Sequence, residues 1–322
     1  MIQLCMAAGF TRQAHFAYIR RRYNEETLYN LVQSTVSEVR SLHPQMGLKK
    51  IFHLIEPDII GRDKFLEIGS ALGLKLPRTK NYQRTTYSNK CANTPNLTTN
   101  LEIRDINQVW VSDITYFYVN NVFYYLTFIE DVYSRRILGF VASPTLQAQA
   151  NCRAIRKAIK TRNCSSYDNL IHHSDRGTQY TSKEYLNILK EHNISVSLCD
   201  SVYENSHIER VNGIIKNEYL YCYHIGSFSK LKSRLRKAVY LYNFKRPHWS
   251  LDCMTPVEYE KSLISTAISK RKPLIMFTDN SKDILKKYYQ GALFDQNCQP
   301  ISGQLSSKSS VKRVEYFQPD FE

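Results

Sequence analysis

Three carboxylates in this chain stand where an acid is either costly or unusually well placed. Asp113 lies in the middle of VWVSDITYF (109–117), an unbroken run of β-forming residues. An acid there is costly unless it is paired, protonated or bound to a cation. Asp175 follows the apolar start of IHHSDRGTQYTS (171–182), with Gly177 two residues later. A strand thus delivers this carboxylate to its C-terminal edge, and the chain then turns. Glu209 sits in ENSHIERVNGIIKNEY (204–219), where Ile208, Val211, Ile214 and Ile215 recur at helical spacing, which places the acid beside an apolar helix face. A strand centre, a strand end and a helix each offer hard oxygen donors, the ligands that Mg²⁺ takes while keeping several waters.

The elements that must position these acids follow from the surrounding pattern. Strand-like runs at 109–119, 122–131 and 135–142 are separated by Asn120-Asn121 and Tyr133-Ser134, which predicts a three-stranded antiparallel meander. Helical periods follow at 147–161 and 183–192, alternating with short strands at 170–174 and 194–198. After Glu209 the chain continues helical and basic to Asn243, where Phe244-Lys245-Arg246-Pro247-His248 breaks it. Meander, helix, strand, helix, strand, helix is the element order of a ribonuclease-H-like α/β fold with a mixed five-stranded sheet.

A chain of 322 residues exceeds one ordinary domain and needs no disulfides to bury a core. Its 44 Lys and Arg against 29 Asp and Glu give a net charge of +15 and a pI near 9.4, which favours a polyanionic partner. No segment approaches the roughly eighteen consecutive apolar residues of a membrane span. The start MIQLCMAAGF meets Arg12 too soon for a secretory leader, so a cytosolic protein is expected. The eight cysteines are scattered without a C-x-x-C pair, which argues against zinc and for reduced, buried thiols.

Residues 1–76 read as short helices divided by breakers. A Thr11-capped helix runs into Arg20-Arg21-Arg22, a second begins at His43-Pro44 and turns at Pro57-Asp58, and a third spans Gly61 to Gly73. Helix, turn, helix and then Lys75, Arg78, Lys80 and Arg84 is the composition of a small helix-turn-helix-like region. Residues 77–103, rich in Thr, Asn and Lys, read as a linker, 104–263 as the catalytic core, and 264–322 as a basic, partly disordered tail.

Four words of this sequence, VWVSDITYF, HSDRGTQYTS, ENSHIERVNGIIKNEY and YNFKRPHWSLDCMTPVEY (242–259), stand in the order found in one family. From about Gly9 to about Tyr259 the chain resembles the DDE transposases of bacterial insertion sequences, nearest the second-frame (OrfB) product of the IS-three type with its retroviral-integrase-like core. The resemblance implies DNA strand cleavage and strand transfer at element ends, with Asp113, Asp175 and Glu209 as catalytic residues and ligands for two Mg²⁺ ions, Mn²⁺ substituting. Such a metal pair activates the attacking hydroxyl and stabilises the departing oxygen. Between Asp175 and Glu209 lie 33 residues, slightly fewer than the family usually shows. The family's Asp-Asn reads Glu204-Asn205 here, which makes Glu204 a competing third ligand. Glu209 is favoured because it stands seven residues before Lys216, the position that the resemblance gives to the family's basic residue, and two helical turns place both on one face.

Around the acids, Lys216, Arg176, Gln179, Arg246 and His248 are candidate DNA contacts, with Pro247 ending its helix on structural grounds alone. His173 reads more readily as a loop hydrogen-bonder than as a proton carrier. The resemblance further implies DNA partners (terminal repeats and target), an upstream first-frame (OrfA) product or fusion, self-association, and a bacterial cytoplasmic, nucleoid-associated setting. An inactive DNA-binding derivative and a purely hydrolytic ribonuclease-H-like nuclease are the competing functions.

Overall fold

A computed structural model describes residues 7, 9, 11–77, 94–199 and 202–278. Of two compact units, the first runs from Met1 to Phe277, and all that follows concerns it; the second begins at Thr278. Most of the expected linker (78–93) and most of the expected tail (279–322) lie outside the described residues.

Strands β2 (Val109–Val119), β3 (Val122–Asp131) and β4 (Ile137–Ser143) form the antiparallel meander, and β5 (Ile171–Ser174) and β6 (Ser195–Leu198) extend it in parallel on the β2 side. The order is therefore β4-β3-β2-β5-β6, the mixed five-stranded sheet of the ribonuclease-H-like fold. Asn120 and Asn121 both take positive φ at the β2–β3 turn, as a two-residue hairpin of matching twist requires.

Alternation along β2 sorts the sheet into two faces. Val109, Val111, Phe117 and Val119 join one buried cluster with Ile208, Val211 and Ile215 of the Glu209 helix and Leu235, Val239 and Tyr242 further on. Trp110 joins the opposite cluster with Ala154, Ile155, Tyr185 and Leu189. Those residues come from α4 (Ala148–Arg162) and α5 (Lys183–Glu191), while α6 (Ser206–Ile214), a π-helical continuation (Ile215–Leu220) and α7 (Phe228–Phe244) cover the first face. The predicted continuous helix after Glu209 is thus two helices, interrupted at 221–227 and restarted by Ser227, whose side chain accepts from the Lys230 N–H.

The N-terminal region opens on α1 (Arg12–Leu42), followed by α2 (Leu48–Ile55) and α3 (Arg62–Ala71). Thr11 caps α1 as expected. The helix does not stop at the arginine cluster, because no Gly or Pro occurs between Gly9 and Pro44. Val32, Val36, Ile51, Phe65 and Ile68 give these helices a cluster of their own. They also touch the helical layer that covers the sheet and the turn after it: His43 Nδ1 and the Tyr219 hydroxyl are 2.8 Å apart, and His53 meets Trp249 edge to face.

Residues 264–277, read from sequence as the start of the tail, instead pack on the core. After α8 (Pro256–Leu263), β7 (Leu274–Ile275) pairs with β1 (Glu102–Ile103), and Arg271 bonds to Asp105. Two-residue strands carry too little periodicity to be seen in a sequence. Among the described residues no helix is long and apolar enough to cross a membrane.

Candidate active site

Ser112 on β2 pairs with Ser174 on β5. Asp113 and Asp175 therefore come next at one level, on neighbouring chains that lie about 4.8 Å apart in a sheet. Asp113 has the parity of Val109 and Val111, so its carboxylate leaves the sheet on the face covered by α6. Asn212 of α6 meets it there, donating from Nδ2 to Asp113 Oδ2 at 2.7 Å. Burial, then the neighbouring charges of Asp175 and Glu209, push Asp113 up to about 7.

Asp175 stands just past the end of β5, exposed to solvent. The protein surrounding its carboxyl group still raises its pKa, opposed by the Gly177 N–H, which donates to Oδ1 at 3.1 Å. A Cβ at Gly177 would lie 3.0 Å from both Asp175 Oδ1 and Gln179 Oε1. Glycine is what lets the turn fold back onto its own carboxylate.

Glu209 is in the first turn of α6 and exposed. Positions 205, 209, 212 and 216 share one helix stripe, and its other members all reach toward β2. Asn205 Nδ2 donates to the Ser112 carbonyl at 3.2 Å, Asn212 holds Asp113, and Lys216 Nζ donates to Thr115 Oγ1 at 2.7 Å. Burial lowers the Lys216 pKa, while Asp113 pulls it back up. Among the described residues, no three His, Cys, Asp or Glu side chains are grouped tightly enough to hold one ion between them. Asp113 and Asp175 are brought side by side, and Glu209 within electrostatic reach of Asp113.

The other sequence candidates fall into place differently. Glu204 is buried and accepts from Asn96 Nδ2 at 2.6 Å, which ties the incoming chain to the core and turns this carboxylate inward. His173 is buried with Nδ1 2.9 Å from Ser197 Oγ and Nε2 3.0 Å from Cys199 Sγ, which ties β5 to β6 and to the residue that follows it. Arg176 donates to the Cys199 and Thr94 carbonyls, and Gln179 to the Leu146 carbonyl. Both brace loops beside Asp175.

Arg246 and His248 require a correction. Arg246 is 3% exposed and forms a forked pair with Glu218 at 2.7 and 2.8 Å. His248 is buried, which holds its imidazole neutral with a pKa near about 2. An interior arginine already paired with a carboxylate does not present its charge to a phosphate. Sequence reading also passed over Asn212, although it lies three residues after Glu209 and four before Lys216, the spacing of a shared helix face.

A family model described as "Integrase core domain" matches residues 104–203, and a second with the same description matches 192–256. Over 269 residues the chain is 26% identical to the "Insertion element IS600 uncharacterized 31 kDa protein" of Shigella sonnei, covering 80% of this chain and 97% of that one. It is 40% identical over 119 residues to the "Putative transposase for insertion sequence element IS986/IS6110" of Mycobacterium tuberculosis, covering 35% of this chain and 43% of the relative. Against the "Transposase InsF for insertion sequence IS3A" of Escherichia coli it is 32% identical over 157 residues, 48% of this chain and 54% of that one. The chain thus matches about half the length of the latter two relatives. Among solved structures, the HTLV-2 integrase catalytic core domain in complex with magnesium superposes with a TM-score of 0.38 at 20% identity, over 48% of this chain and 95% of that chain. A simian T-cell lymphotropic virus intasome gives a TM-score of 0.43 at 19% identity, over 74% and 79%.

Proposed function

The chain belongs to the insertion-sequence transposases that carry an integrase core, and on that premise we propose that it cleaves and joins DNA strands through Asp113, Asp175 and Glu209. The observation that carries the proposal is the pairing of Ser112 with Ser174, which sets Asp113 and Asp175 at one level under the helix that bears Glu209.

The donor set fits divalent cations. It is all carboxylate, and burial first, then the charges of Asp175 and Glu209, raise the Asp113 pKa, so that a bound cation would favour its ionised form. Asp113, Asp175 and Glu209 would hold a pair of Mg²⁺ ions, which when bound activate the attacking oxygen and stabilise the leaving one. The protein's own side chains position. Asn212 fixes the Asp113 carboxylate, the Gly177 N–H fixes that of Asp175, and Lys216 stands beside β2 where it can meet a phosphate of the DNA end. In strand transfer a 3′-hydroxyl attacks phosphorus, the new P–O bond replaces the broken one, and the departing oxygen leaves as a hydroxyl. Bonds of one kind are exchanged, so the protein need supply no external energy.

DNA is the partner that the net charge of +15 suits. The N-terminal helices α2 and α3 would read the element's terminal repeats, with copies acting together on paired ends and an upstream first-frame product joined to or bound by this chain. The test is a duplex carrying one terminal repeat with a pre-cut 3′ end, incubated with target DNA and Mg²⁺. Joined product that disappears in Asp113→Asn and Glu209→Gln supports the proposal; hydrolysis without joining would leave a nuclease in its place.

A further inference from the structure

Neither Glu130 nor the R-P-H word at 246–248 takes part in the reaction above, yet Glu130 and His248 border one small cavity. Glu130, at the end of β3, is 1% exposed. It faces the Tyr242 side chain and lies under the charges of Arg135 and Arg210. Against it is a cavity of about 30 Å³ bordered by His207 and Arg210 of α6, Tyr242 of α7, and His248. Glu130 Oε2, His207 Nδ1 and His248 Nε2 are all buried atoms with no hydrogen-bond partner among the described residues.

Three unsatisfied polar atoms around one small cavity form a pattern that native proteins resolve with solvent, since buried polar groups are paired with protein or ordered water. Room for one water takes roughly 10–15 Å³, which this cavity exceeds. A water donates two protons and accepts two, enough for one carboxylate oxygen and two imidazole nitrogens when at least one ring carries its proton on the nitrogen facing the cavity. The helix geometry gives the site a consequence. His207, Arg210, Val211 and Ile214 of α6 line the cavity, whereas 205, 209, 212 and 216 form the stripe turned toward Asp113. Whatever occupies the cavity therefore fixes the rotation of α6 about its own axis.

We propose that this cavity binds a single ordered water bridging Glu130, His207 and His248, and that Glu130 is thereby a positioning residue that sets the aim of Glu209. The second half rests on the reading of Glu209 as a member of the acidic triad. The R-P-H word then has a task apart from DNA: Arg246 anchors Glu218, and His248 closes the cavity beneath the catalytic helix.

The first arm of the test is a crystal structure of the full chain at a resolution that shows waters. A density peak within hydrogen-bond distance of all three atoms is expected; direct pairing of the three side chains with one another, with no peak, overturns the proposal. The second arm compares Glu130→Leu with the conservative Glu130→Gln by strand-transfer kinetics and by amide hydrogen exchange across 206–214. Misplacement of a catalytic group by an ångström can cost up to about 100-fold. The leucine variant is expected to lose on the order of ten-fold in kcat at unchanged KM for DNA and to exchange faster in α6, with glutamine restoring both. Wild-type kcat and exchange in the leucine variant overturn the positioning role, as does an equal loss in both variants that merely follows a lowered Tm. Should the leucine variant not fold, the nearly isosteric Tyr242→Phe, which removes the hydroxyl that faces Glu130, must give the same kcat-against-KM split. The crystallographic and exchange arms read the brace whether or not strands are joined, so failure of the triad reading shows itself separately, as a wild type without strand transfer.

Discussion

Replacing Asp113 by Asn should stabilise the metal-free protein above neutral pH. The Asp113 carboxyl is pushed from 3.8 to about 7, first by burial and then by Asp175 and Glu209. A carboxyl with a raised folded-state pKa binds a proton that the unfolded chain has already lost, so stability falls as pH rises through that window. The penalty is absent below the unfolded value and complete above about 7. Each unit is worth about 1.4 kcal/mol, so roughly three units set a ceiling of about 4 kcal/mol. The side chain keeps some solvent contact, which brings the expected gain down to about 1–3 kcal/mol, or a few degrees in Tm. Asparagine retains an oxygen for the 2.7 Å bond from Asn212, so the substitution removes charge and little else. Urea unfolding of both proteins in EDTA, from about pH 5 to about pH 8, is the assay. The two curves should draw together as pH falls and separate as it rises, and Mg²⁺ should raise the wild type while leaving the variant unmoved. A pH-independent difference, or a variant less stable at the alkaline end, would refute the electrostatic account of the site.

Three further outcomes follow. Arg246→Ala strands the Glu218 carboxylate in a partly buried position and should cost about 3 kcal/mol in denaturant unfolding, with Glu218→Gln recovering part of it; loss of DNA affinity at unchanged stability would restore Arg246 as a DNA contact. Lys216→Ala should weaken binding to DNA ends and flatten the dependence of log K on log salt by about 0.9, one phosphate contact, as read by anisotropy titrations at several salt concentrations. Gly139→Ala would set a Cβ 2.2 Å from the Ala154 carbonyl oxygen, pushing α4 off β4, and should lower stability by about 2 kcal/mol or more, which thermal melts would report.

How much of this was legible in the sequence follows the physics of each element. The meander, α4 and α5 were readable because alternation and helical period are strong there, and strand boundaries agree to within a residue or two. The length of α1 was missed because the arginine cluster resembles a helix end, although no helix breaker follows it. The interruption at 221–227 was missed because its neighbours, Tyr219, Leu220 and Leu231, continue an apolar pattern on both sides. The acids themselves were legible from a cost argument at Asp113 and turn chemistry at Asp175. Arg246 and His248 misled, because basic residues in a motif do not announce whether they point outward; Arg246 is paired inward with Glu218, 28 residues away. Glu130 carried no signal at all, since an acid ending a strand is ordinary until the helices that enclose it are placed.

The most direct measurement is anomalous scattering from crystals soaked in Mn²⁺. The account predicts metal peaks ligated by Asp113, Asp175 and Glu209 together, with the peaks lost in Asp113→Asn. Metal bound without Glu209, or held by Glu204 in its place, would contradict it.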